Sequence, residues 1–122
     1  AHAERDAGRN AQACPDPVDL KHLRRYTLGN AGLEKEVLEL FLAQLPQTIA
    51  ALSSADNDAA WRLAAHTLKG SGRAVGAWRI AALAESAERV RSIHDRHGCR
   101  DAVARIEDAY KDVRAFILAA YA

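Results

Sequence analysis

From Leu33 to Leu52 the chain reads LEKEVLELFLAQLPQTIAAL, with Leu33, Val37, Leu40, Phe41, Gln44, Leu45, Thr48 and Leu52 recurring at steps of three and four. That spacing returns side chains to one side of a 3.6-residue turn, so it specifies an amphipathic helix and excludes a strand, whose side chains alternate between faces. Pro46 lies inside the pattern, where a kink is expected in place of a break. The helical period recurs along the rest of the chain, and no β-branched, period-two run of useful length competes with it.

The punctuation between periodic segments divides them. VDLKHLRRYT (18–27) carries Val18, Leu20 and Leu23 loosely on one side, has Asp16 or Asp19 as first-turn acids, and stops before Gly29-Asn30. SSADND supplies N-caps for a helix over 57–75, and Gly76 breaks it before WRIAALAESAERVRSIH (78–94). Gly98, after His94 to His97, marks the end of that fourth helix, and 100–121 forms a fifth with Val103, Ile106, Tyr110, Val113 and Ile117 in register. A short helix leading into four long ones with tight connections predicts an all-α fold, an antiparallel four-helix bundle with a short additional N-terminal helix. The bundle is expected over 18–122. Residues 1–17, AHAERDAGRNAQACPDP, lack any sustained period, end in two prolines, and read as a linker or disordered tail.

The totals remove several function classes. At 122 residues the chain has room for one modest core. Its 17 basic and 16 acidic residues leave a formal charge of +1, so no global field favours nucleic acid or an anionic membrane. Cys14 and Cys99 stand far apart without CxxC spacing, which argues against a zinc site and a disulfide framework and for a reducing compartment. No apolar run is long enough for a membrane span or a signal peptide. Methionine is absent, even from position 1, which reads as a fragment or processed chain of a larger parent.

The third helix carries the chemistry. Each residue advances about 100° around the axis, so the positions within about 60° of Leu68 are Trp61, Ala64, Ala65, Ser71, Gly72 and Val75. All are apolar or small and face inward. His66 lies roughly 160° from Leu68, with Arg62, Lys69, Gly70 and Arg73 as its neighbours one and two turns away. It is expected in solvent on a basic ridge. Gly72 on the buried side lets another helix approach closely. Gly70 on the exposed side gains no packing from lacking a side chain and costs helix stability of about 1 kcal/mol relative to alanine, so clearance for something arriving from outside is the better reason. An exposed histidine on a bundle helix is ordinarily just a solvated residue; it is the exposed glycine beside it that has no such bland purpose. An imidazole is largely neutral at pH 7 and offers a ring nitrogen that accepts a phosphoryl group without a separate base. Lys69 supplies a mobile positive charge for phosphate oxygens, and Arg62 or Arg73 adds to the local potential.

AHTLKGSGRAVGA, residues 65–77, resembles the motif of the histidine-containing phosphotransfer (HPt) domains of multistep two-component signalling: an Ala-His pair, a variable residue, an apolar one, Lys-Gly-Ser, small residues and a later Gly. The similarity extends through LELFLAQLPQTIAAL before the motif and RIAALAESAERV after it, over roughly residues 18–120. The sequence departs from the commonest pattern at Gly72, where serine or alanine is frequent, and at Arg73, which adds a charge. The resemblance implies that His66 is the phosphoaccepting residue, that Lys69 contacts the phosphoryl group and that Gly70 gives the partner access. It also implies that Glu88, at the position of a polar residue on the next helix, hydrogen-bonds the other ring nitrogen and fixes the tautomer; the other reading of Glu88 is an ordinary surface glutamate. By the same resemblance the partners are response-regulator receiver domains and a histidine kinase parent chain, with no nucleic acid and no direct membrane insertion. The resemblance further implies a domain with no ATP site of its own and no bound cofactor, Mg2+ being held by the receiver. The location it implies is cytoplasmic, alone or tethered through a membrane-bound sensor kinase, and the layout is expected to suit the C-terminal module of a hybrid sensor kinase.

Other readings fit the same residues. A chemotaxis-type kinase carries a similar histidine-bearing N-terminal domain that receives phosphate from ATP through the kinase's own catalytic domain. A non-catalytic docking bundle would use the basic ridge alone. A metal-binding bundle would use His94 and His97, spaced i,i+3 on a helix.

Overall fold

The computed structural model describes residues 16–121. Among them are five helices and no strand: α1 (Leu20–Thr27), α2 (Ala31–Ser53), α3 (Asp58–Val75), α4 (Trp78–Glu88) and α5 (Arg96–Ala120). The four longer ones close a ring in which α2 packs on α3, α3 on α4, α4 on α5 and α5 on α2, while α1 lies against α2 and α3. Neighbours run antiparallel. Trp61 near the start of α3 meets Ala87 at the end of α4, and Tyr121 just after α5 reaches Glu34 in the first turn of α2. The sequence-based expectation of an antiparallel bundle with a short leading helix is what the chain builds. Of the expected tail, residues 1–15 lie outside the described residues; Val18, at the bundle's expected edge, is fully buried.

Local chemistry sets most of the helix ends. Asp19, Asn30 and Asn57 each accept a backbone N–H three residues on, at 3.2, 2.9 and 2.8 Å, and so cap α1, α2 and α3. Gly76 ends α3 at φ +82, in the left-handed region that costs glycine nothing. Its carbonyl accepts the Asp19 N–H at 2.9 Å, which seats the start of α1 on the α3–α4 turn. α2 runs through Pro46 as one continuous helix.

The boundary between α4 and α5 differs from the sequence reading. The fourth helix stops at Glu88, not His94, and the fifth begins at Arg96. Tertiary hydrogen bonds decide this: the buried Trp61 indole N–H donates to the Ala87 carbonyl at 2.8 Å, and Asp58 accepts the Ile93 N–H at 2.8 Å, taking up backbone groups that a continuing helix would use. Gly98 ends nothing. It is the third residue of α5, donating its N–H at 3.0 Å to the capping carboxylate of Asp95. The same boundary places His94 in the connection and His97 on the helix, so the pair is not the i,i+3 helix-borne couple that a metal-binding bundle would use.

The core stripe of α2 is also shifted. Glu34, Leu38, Phe41, Leu45, Ile49 and Leu52 are buried, whereas Leu33 and Leu40 are 42% and 59% exposed. The helix is apolar on more than one side, so steps of three and four can be drawn through it in two ways, and packing against α3 and α5 selects one. Glu34 is tolerated inside because the Arg24 guanidinium approaches it at 2.7 Å and the Tyr121 hydroxyl donates to it. Those contacts, the Arg24 bond first, hold its carboxyl below the usual range against the opposing effect of burial.

Candidate functional site

α3 divides into two faces as its periodicity requires. Trp61, Ala64, Ala65, Leu68, Gly72 and Val75 are buried, and Ser71 is half-buried. A Cβ at Gly72 would stand 3.0 Å from the Ala81 nitrogen and 3.1 Å from the Ala77 carbonyl oxygen. Only a glycine lets α3 and α4 approach so closely without displacing main chain. On the other face, a Cβ at Gly70 would meet nothing within 4 Å.

His66 stands on that open face with its side chain 70% exposed. Its Nδ1 lies 3.7 Å from Glu88 Oε2, within ion-pair range but longer than a hydrogen bond. Lys69 Nζ lies 2.7 Å from Glu88 Oε1. The three side chains form a graded set, from the exposed ring through a glutamate 25% exposed to a lysine 17% exposed. Glu88 is the last residue of α4, so the early end of that helix, fixed by Trp61, also puts the carboxylate beside the ring. Its carboxyl is held below the ordinary value of 4.5, first by the hydrogen bond from Lys69, with burial opposing and the Lys69 and His66 charges assisting. Glu88 is therefore a carboxylate at neutral pH.

The arrangement alters the expected basic ridge. Lys69 is not a mobile solvent-borne charge; it is half-buried and paired. Arg73 remains 53% exposed and reaches Glu85 at 3.8 Å, while its backbone carbonyl approaches His22 Nε2 at 3.1 Å. Arg62 is exposed and makes no ion pair among the described residues. Sequence reasoning missed Glu85. Its spacing three residues before Glu88 puts both acids on one face of α4, opposite the cations of α3, and that spacing was readable.

Chemically, the site offers an accessible imidazole whose Nδ1 faces a carboxylate, a buffered ammonium within reach, and open space one turn further along the helix. Among the described residues no group of three or more metal-ligating side chains is assembled, and no helix is long and apolar enough to cross a membrane.

A family model described as Hpt domain matches residues 36–116, from the first turns of α2 to the last turns of α5. No curated protein and no solved structure matches the chain significantly.

Proposed function

Because the chain belongs to the Hpt domain family, and is thereby a histidine phosphotransfer domain of two-component phosphorelays, we propose that His66 carries the phosphoryl group, taking it from the aspartate of one receiver domain and passing it to another. The observation that carries this reading is the exposed His66 ring, with its Nδ1 turned to Glu88 and open space at Gly70 beside it.

With the proton on Nδ1, facing Glu88 Oε2, the lone pair is left on Nε2. That nitrogen attacks the phosphorus of the receiver's aspartyl phosphate. The N–P bond forms as the acyl P–O bond breaks, and the aspartate leaves with the bonding pair as a carboxylate. The ring, still protonated at Nδ1, becomes cationic, and the Glu88 carboxylate stabilises it. Lys69 is held where its ammonium can turn toward the incoming phosphoryl oxygens, and Arg62 and Arg73 flank the approach with positive charge. Return transfer to a second receiver is the same step reversed. Mg2+ belongs to the receiver, and none of these residues is asked to hold it. This chain contributes a nucleophile and its orientation, with no nucleotide site of its own.

The reading is tested by incubating the protein and its His66→Gln variant with a panel of phosphorylated receiver domains and following acid-labile, base-stable label. Label on the native chain and none on the variant is expected. Label that persists on His66→Gln would overturn the assignment. Failure with every receiver, followed by phosphorylation from an ATP-loaded kinase domain, would place the domain in a chemotaxis-type kinase; failure with both would leave a docking bundle.

A further inference from the structure

The four longer helices form a ring, so the gap between α5 and α2 lies across the bundle from the gap between α3 and α4, where His66 and Glu88 meet. A groove of about 620 Å³ runs along it. Lys35, Glu39 and Leu42 border the groove on α2, Ile117 and Leu118 on α5, and Leu118 is 47% exposed. None of these residues belongs to the His66 site.

Three residues on the α2 side have no evident use within one chain. Lys35 and Glu39 are exposed and four residues apart on one helix, the spacing at which opposite charges pair, yet neither makes an ion pair among the described residues. Gly32, one turn before Lys35, is exposed as well. Its backbone is not in the left-handed region, and a Cβ there would meet only the Asn30 side chain, at an ordinary 3.4 Å. Neither conformation nor packing asks for glycine in a helix that glycine weakens.

Gly32, Lys35, Glu39 and Leu42 follow one another at steps of three, four and three, which keeps them within about 80° on one face of α2. The spacing is symmetric about a midpoint between Lys35 and Glu39. A twofold axis through that midpoint, perpendicular to α2, sets the same helix of a second copy antiparallel to the first. Lys35 then meets the partner's Glu39, Glu39 meets the partner's Lys35, and Leu42 is seated over the partner's Gly32, where no side chain obstructs it. A single register satisfies both charge and size. A slip of four residues either way would set Lys35 against the partner's Lys35, or Glu39 against the partner's Glu39.

From this geometry we infer that the α2 face of the groove is a self-association surface, on which two copies of the chain form an isologous dimer. Exposed ion pairs add little affinity and chiefly fix register. Leu42, half-buried in the single chain, and Leu118 supply the apolar contact that holds the copies together. Both His66 rings lie across their own bundles from the seam, so each stays open to its own partner.

The test is sedimentation equilibrium of the native chain up to about 1 mM, where a weak contact is populated, beside Lys35→Glu and Glu39→Lys. The native chain should approach twice the monomer mass. Each single reversal places like charges opposite each other twice and should weaken the dimer by about tenfold or more. An equal mixture of the two variants should regain the native affinity, because the doubly acidic and doubly basic faces then meet. Both residues are exposed, and recovery in the mixture shows that each variant is folded. A native chain that stays monomeric would overturn the dimer. A dimer indifferent to both reversals would overturn the α2 face, and reversals that weaken it without recovery on mixing would overturn the twofold register.

Discussion

Gly70 and Gly72 stand two residues apart on one helix in opposite surroundings. At Gly72 a methyl group would press on the main chain of α4, 3.0 Å from the Ala81 nitrogen; at Gly70 it would meet open space. Two residues are a rotation of about 200°, which carries the chain from the interface to solvent. The lesson is that one residue type closes an interface on one face and leaves space open on the other, and only the surroundings tell the two positions apart.

Substitution separates the two roles. Gly72→Val should give the largest effect, because its neighbours are backbone atoms that cannot swing aside. Overpacking of this kind costs about 1–3 kcal/mol, visible as a lower midpoint in urea unfolding followed by circular dichroism. An unchanged midpoint would remove close approach as the reason for that glycine.

Gly70→Ala should move stability the other way, up by as much as about 1 kcal/mol, since alanine is the better helix former and nothing obstructs it. Phosphoryl transfer to His66 should slow in the same variant. Transfer at the native rate or faster would show that access is not what Gly70 provides, whatever the stability does.

The smallest effect concerns Glu88, which ties the open face to α4. Its carboxyl sits below the ordinary 4.5 when folded, so the unfolded chain binds that proton more tightly. The stabilisation is therefore complete above about pH 4.5 and is lost as pH falls through the lowered value. Compared with native protein, Glu88→Gln should be less stable at pH 7 by under about 1 kcal/mol, as partly exposed pairs are, and the gap should close in acid. Lys69→Met should erase most of the same pH dependence. A gap that is constant with pH would mean the Lys69–Glu88 contact contributes nothing through charge.

The two faces of α3 were legible in the sequence because a helix face is local arithmetic: Trp61, Ala64, Ala65, Leu68, Gly72 and Val75 fall inward, and His66 and Gly70 outward, on the 100° step alone. The bundle was legible for the same reason, with N-cap candidates in SSADND and a glycine stop at Gly76; Asn30, read only as part of a turn, caps α2. What escaped was decided between helices. The end of α4 is set by the Trp61 indole and the Asp58 carboxylate, 26 and 35 residues from their acceptor and donor partners, and no local signal at Glu88 announces it. Gly98 carried the mark of a helix end yet serves inside a helix start, because Asp95 caps the turn around it. The pairing of Lys69 with Glu88 likewise joins two helices, so the lysine read as free from its own helix alone.

The α3–α4 pair is fastened at both ends, by the two-residue turn Gly76–Ala77 on one side and by the Trp61–Ala87 bond on the other. A beam held at two points resists sliding as well as hinging, and His66 and Glu88 lie on the span beside the second fastening. Their spacing is thus set by the packing of the two helices and not by the side chains alone. If His66 carries the group as proposed, a site so held would have no conformational reset between loading and unloading, and the arrival and departure of partners would set its pace.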